Sequence, residues 1–142
     1  MIDENKVLAK IRVIKENKAK LEILKEVPEE VFIKDFEKYD SAKYNLQTAI
    51  EAMLDICNHI ISRNSYGVPK TNADAFMILC QNGVLNSEMQ STYVAMARFH
   101  NRVVHLYEQV NSRDVYKYVV EGIPDIDHFI DDIARIISRE NS

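Results

Sequence analysis

A chain of 142 residues, 46% hydrophobic and 28% charged, has the size and composition of one folded domain and not of a disordered tail. Three glycines and three prolines are too few for the tight turns of an all-β design, so an all-α bundle is the economical fold. A formal charge of −4 excludes a generic basic sink for nucleic acid, although it leaves room for a local basic cleft.

The first predicted element covers residues 3–26, where Val7, Leu8, Ile11, Ile14, Leu21 and Leu24 recur at near-helical spacing between charges. Pro28 interrupts it, and Glu29–Glu30 place negative charge where a following helix dipole favours it. From there Ala42, Leu46, Ala49, Ile50, Met53, Ile56, Cys57, Ile60 and Ile61 predict one long helix over 29–63. "RNSYGVPKTN" is a loop, and Thr71 or Asn72 caps the short helix "ADAFMILCQ", which Asn82–Gly83 stops.

"NSEMQ" opens the next helix, with Ser87 and Gln90 spaced for a capping box. That helix carries "MARFHNRVVHLY", Met96 to Tyr107, and its pattern lapses near Gln109–Ser112. Asn111 or Ser112 then caps a short helix that Gly122 ends. Pro124 suits the first position of a final amphipathic helix through Ile126, Phe129, Ile130, Ile133, Ile136 and Ile137. The expected whole is a single helical domain over residues 1–142, with about five to six helices.

Cys57 and Cys80 lack metal-ligand spacing and read as small buried hydrophobes of a reducing compartment. No apolar run approaches the ~18 residues of a membrane span, and the N-terminus has no signal core. A cytoplasmic protein without membrane contact is therefore expected, and nothing in the residue pattern calls for a metal or another cofactor.

The chemistry concentrates in "MARFHNRVVHLY". Residues seven apart nearly superpose on a helix, so Arg98 and His105 share a line, with Asn101 and Arg102 beside it. Met96, Phe99, Val103 and Val104 fall mainly on the opposite side. His100 and Tyr107, also seven apart, share a second line on the more apolar face. The polar line is either the wet side of an amphipathic helix or a phosphate site. Histidine moves protons near neutrality, and arginine holds a phosphate and stabilises charge gathering on it. Together they suit cleavage of RNA by its own 2′-hydroxyl. His100 taken alone suits a satisfied core histidine, Tyr107 a packing residue, and His59 and His128 structural or solvated positions.

"FHNRVVHLY", preceded by "NLQTAIEAMLDICNHIIS" and "GVPKTNADAFMILCQNGVL", resembles the HepT-type HEPN toxins across roughly residues 5–137. These are small helical proteins encoded beside a nucleotidyltransferase antitoxin, MntA. Their motif is an arginine, four to six residues, then a histidine, with a tyrosine two residues further on. His105 and Tyr107 match its end, whereas the four-residue spacing falls on His100 and the six-residue spacing on Arg98. The resemblance leaves three options: Arg98 fills the arginine role, His100 does so as a pH-dependent cation, or the site is inactive. It implies a metal-independent endoribonuclease acting as a homodimer on RNA. His105 would transfer protons, Arg98 stabilise charge, Asn101 orient the phosphate or His105, and Arg102 contact the RNA backbone. It further implies an MntA-type partner that silences the toxin by attaching AMP to Tyr107. The alternative is a non-catalytic helical module that docks onto such a nucleotidyltransferase.

Overall fold

The structure, a computed structural model, describes residues 2–105 and 110–141. Six α-helices follow one another among these residues: α1 (Glu4–Lys25), α2 (Glu29–Phe32), α3 (Phe36–Asn64), α4 (Asn72–Gln81), α5 (Gln90–Val104) and α6 (Ser112–Glu140). A 3₁₀ turn, Ser87–Met89, leads into α5, and no strand occurs among the described residues. The fold is the all-α bundle expected from composition. Among the described residues no helix is long and apolar enough to cross a membrane.

α3 is the central element. It packs against α1, α4, α5 and α6, and buries Leu46, Ile50, Met53, Ile56, Cys57 and Ile60 among them. Burial of each such side chain contributes about 1.5–3 kcal/mol, which is why this helix organises the others. A buried amide pair sets the register of α1 on α3. Asn17 Nδ2 donates to Asn45 Oδ1 at 3.1 Å, and Asn45 in turn donates to the Ser41 carbonyl at 2.8 Å. Phe76, Tyr93 and Phe129 form a ring cluster with centroids 5.5–6.3 Å apart, joining α4, α5 and α6. Cys57 and Cys80 are both buried free thiols, and burial raises the Cys57 thiol well above its usual range.

Besides the end of α5, three boundaries differ from the sequence expectation. The helix expected over 29–63 is two, because the chain turns at 33–35 and Asp35 starts afresh. Its carboxylate accepts the Glu37 and Lys38 N–H groups at 3.0 and 3.3 Å, satisfying donors that a helix start leaves free. Ser87 and Gln90 form no capping box. Instead Asn86 caps the 3₁₀ turn by accepting from the Glu88 N–H at 3.0 Å.

The break expected at Gly122–Pro124 is absent, and α6 runs through both residues. Val115, Val119, Gly122, Ile126, Phe129 and Ile133 keep one unbroken buried stripe across the proline. Pro124 faces solvent and costs the helix one hydrogen bond, about 3 kcal/mol in an interior. The stripe offsets that cost. At Gly122 α6 faces Leu46 of α3, and a Cβ placed there would stand in ordinary contact, 3.8 Å from Leu46 Cδ2.

Candidate functional site

The site is an edge of α5, and its inner face determines what that edge presents. Tyr93, Met96, Ala97, Phe99 and His100 are buried, spaced as a helix buries one side. Arg98 and His105 are exposed on the other side, with Asn101 and Arg102 half-buried between them. The polar line read from the sequence is thus an outward edge of the bundle.

The start of α5 is held by a buried carboxylate. Asp132 of α6, 5% exposed, accepts the Asn86 N–H at 3.0 Å and the Tyr93 hydroxyl at 3.4 Å, and pairs with Arg135. Burial beside that carboxylate pushes the Tyr93 hydroxyl well above its ordinary range. This network was not foreseen, because its members are distant in the chain and Asp132 reads as one more acid in an acid-rich segment.

The other end of α5 stops at Val104, one residue before the catalytic candidate. His105 is the C-cap, with φ −79° and ψ 111°, and its N–H still donates to the Asn101 carbonyl at 3.0 Å. That bond and a helix-like φ fix its Cβ direction, so His105 stays close to the line of Arg98. Its extended ψ redirects only the chain beyond it. The expectation of one helix through residue 107 therefore gives way to an end at 104, and helical arithmetic no longer relates Tyr107 to His100. Tyr107 lies outside the described residues.

Asn101 is oriented by a neighbour that sequence reasoning missed. Asn72 Nδ2 donates to Asn101 Oδ1 at 2.9 Å. Thr71 caps α4 by accepting the Asp74 N–H at 3.1 Å, and Asp74 accepts the Lys70 N–H at 3.0 Å. A short connection between α4 and α5 makes them antiparallel neighbours, so positions about equally far from residue 86 face each other. That symmetry could have paired 72 with 101. With its oxygen engaged by Asn72, Asn101 has its N–H groups left to donate.

His100 stands apart from the other candidates. It is 9% exposed, and neither ring nitrogen has a hydrogen-bond partner among the described residues. Burial pulls its pKa below the usual histidine value, against the opposing pull of Glu51 and the Asn101 amide. A neutral ring inside the bundle is a poor substitute for an arginine. Arg98, in contrast, is exposed, and no described residue forms an ion pair with it. Arg102 is half-buried and already engaged in an interaction of its own. His59, on α3, accepts the Asp3 N–H at 3.0 Å, a structural role consistent with its sequence context.

A family model described as "Ribonuclease HepT-like" matches residues 14–133. The chain is 34% identical over 100 residues to the mRNA nuclease HepT of Shewanella oneidensis, covering 70% of this chain and 75% of that protein. It is 28% identical over 85 residues to the tRNA nuclease HepT of Aphanizomenon flos-aquae, covering 60% of this chain and 58% of that protein. Among solved structures, the tri-AMPylated Shewanella oneidensis HEPN toxin in complex with its MNT antitoxin superposes with a TM-score of 0.85. Identity there is 30%, over 95% of this chain and 99% of that one.

Proposed function

The chain belongs to the HepT-like ribonuclease family of HEPN toxins, and from that premise we propose that it cuts RNA at the Arg98–His105 edge of α5. The observation that carries the proposal is the outward line of Arg98, Asn101 and His105, with Asn101 held by Asn72. Cleavage proceeds by attack of a ribose 2′-oxygen on the adjacent phosphorus, with loss of the 5′-oxygen of the next nucleotide. A base takes the 2′-hydroxyl proton and an acid returns one to the leaving oxygen. The products are a 2′,3′-cyclic phosphate and a 5′-hydroxyl.

His105 is suited to either proton transfer, being exposed and free to meet substrate. One imidazole cannot be base and acid at once, so a homodimer that brings two His105 rings to one cleft completes the pair. Arg98 stabilises the negative charge that builds on the phosphorane oxygens, and Asn101 donates an N–H to the phosphate. Arg98 is favoured over His100 in this role by exposure and by permanent charge, since His100 is buried and biased toward the neutral form. Arg102 contributes at most a backbone contact. None of these steps requires a metal or another cofactor.

The proposed regulation is supported by relatives whose solved structures hold the toxin with its antitoxin, one of them AMPylated. The partner of this chain attaches AMP to Tyr107, whose phenolic oxygen displaces pyrophosphate from ATP. The added phosphodiester brings negative charge and bulk two residues from His105, repelling the RNA backbone and blocking its approach.

The test is RNA cleavage and growth arrest by the wild-type chain, His105→Ala and Arg98→Ala. Loss of both effects in each variant, with folding retained, supports the assignment. A His105→Ala variant that cuts RNA and arrests growth like its parent would falsify it. A module that only docks onto a nucleotidyltransferase would bind that partner and leave RNA intact in every version.

A further inference from the structure

α3 opens with an aromatic ring that the bundle does not use. Phe36, its first residue, is 72% exposed. Tyr39, Asp40 and Lys43 follow on the same helical face at three-, four- and seven-residue spacing. With Lys34 and the start of α6 at Ser112, they line an open hollow of about 690 Å³, within the size range of small-ligand sites.

Parts of this hollow are fixed in place. The Tyr39 hydroxyl donates to the Val110 carbonyl, which ties α3 to the chain just before α6. The Lys43 ammonium sits 4.5 Å from the centroid of the Tyr39 ring, which holds the charge over the hollow. Lys34 has no acidic partner among the described residues. A flat apolar ring beside two lysines matches an unpaired nucleotide, which offers a π face and a phosphate together.

We propose that this hollow is a subsite for one unpaired nucleotide of the RNA substrate, with its base stacked on Phe36 and its phosphate held by Lys34 and Lys43. The proposal rests on the ribonuclease function above and adds the strand type: single-stranded RNA or a loop, because a duplex keeps its bases stacked on one another. Asp40 on the same face repels a second phosphate, so the hollow takes one nucleotide and does not track a longer backbone. Its position suits such a role. His105 and Val110 are five positions apart in the chain, so their Cα atoms lie within about 18 Å. One RNA strand can therefore reach both the cutting edge and the hollow.

The experiment is initial-rate cleavage of a labelled single-stranded oligonucleotide by the full chain and its variants. Phe36→Ala is expected to raise KM about tenfold, the loss of one base–aromatic stack, and Phe36→Trp to recover most of it. The Lys34→Ala/Lys43→Ala double variant should raise KM and lower the slope of log KM against log salt by about 0.7, one phosphate contact. Because the Phe36 ring is outside the core, its variants should melt with the parent. A Phe36→Ala KM within about twofold of the parent overturns the subsite while leaving the ribonuclease function standing. Weakened binding of the nucleotidyltransferase with KM unchanged assigns the surface to that protein and overturns the subsite too. A parent chain that cuts no RNA refutes both.

Discussion

Replacing His100 by leucine removes two ring nitrogens from a place where neither has a partner among the described residues. A neutral imidazole carries one donor and one acceptor, and each buried unsatisfied group costs about 1–3 kcal/mol. Leucine is of comparable bulk and brings no polar atom. His100→Leu should therefore be as stable as the wild type at neutral pH, or up to about 2 kcal/mol more stable. The sharper consequence concerns acid. Burial lowers the His100 pKa in the folded chain, whereas the unfolded chain titrates near 6.5. Below that pH the unfolded state binds the extra proton, so stability falls with acid until the lowered folded value is passed. The slope is at most about 1.4 kcal/mol per pH unit for one such group. His59 works in the same direction, its pKa lowered by burial and by Lys6 and Arg63. Wild-type stability in this window should therefore fall with acid through both groups, and that of His100→Leu through His59 alone, with the shallower slope. Urea unfolding at steps between about pH 5.5 and 7.5 measures both slopes. A His100→Leu slope equal to that of the wild type would refute the reasoning. So would a loss of about 2 kcal/mol or more at neutral pH, which would mean that the imidazole makes hydrogen bonds after all.

Two further outcomes concern the supports of the site. Asp132→Ala strands the buried Tyr93 hydroxyl and removes the acceptor of the more exposed Asn86 N–H, and should cost about 1–3 kcal/mol by urea unfolding; a loss below about 0.5 kcal/mol would show the network to be solvated. Asn72→Ala frees the Asn101 side chain and should lower kcat for RNA cleavage about tenfold or more while changing thermal stability little, and equal kcat in variant and parent would remove Asn101 from the mechanism.

The all-α architecture was legible because every buried stripe repeats at helical spacing, and His100 could be placed inside by the same rule, seven residues from buried Tyr93. The errors arose where tertiary packing outweighed local signals. Gly122 and Pro124 are strong stop signals, yet the stripe from Val115 to Ile133 carries α6 through them. Asp35 looks like one more surface acid, and only the backbone turn at 33–35 reveals it as a cap. Of the site itself, spacing located the line of Arg98, Asn101 and His105, because an exposed edge is set by one helix alone. Asn72 and Asp132 act across helices, and their roles depend on how α4 and α6 lie against α5.

The central claim is that His105 and Arg98 cut RNA through its own 2′-hydroxyl, and the ends of the cut RNA test it most directly. Digestion in the presence of a chelator should leave 2′,3′-cyclic phosphate and 5′-hydroxyl ends, and neither His105→Ala nor Arg98→Ala should produce them. Fragments ending in a 3′-hydroxyl and 5′-phosphate, or cleavage abolished by the chelator, would contradict the account.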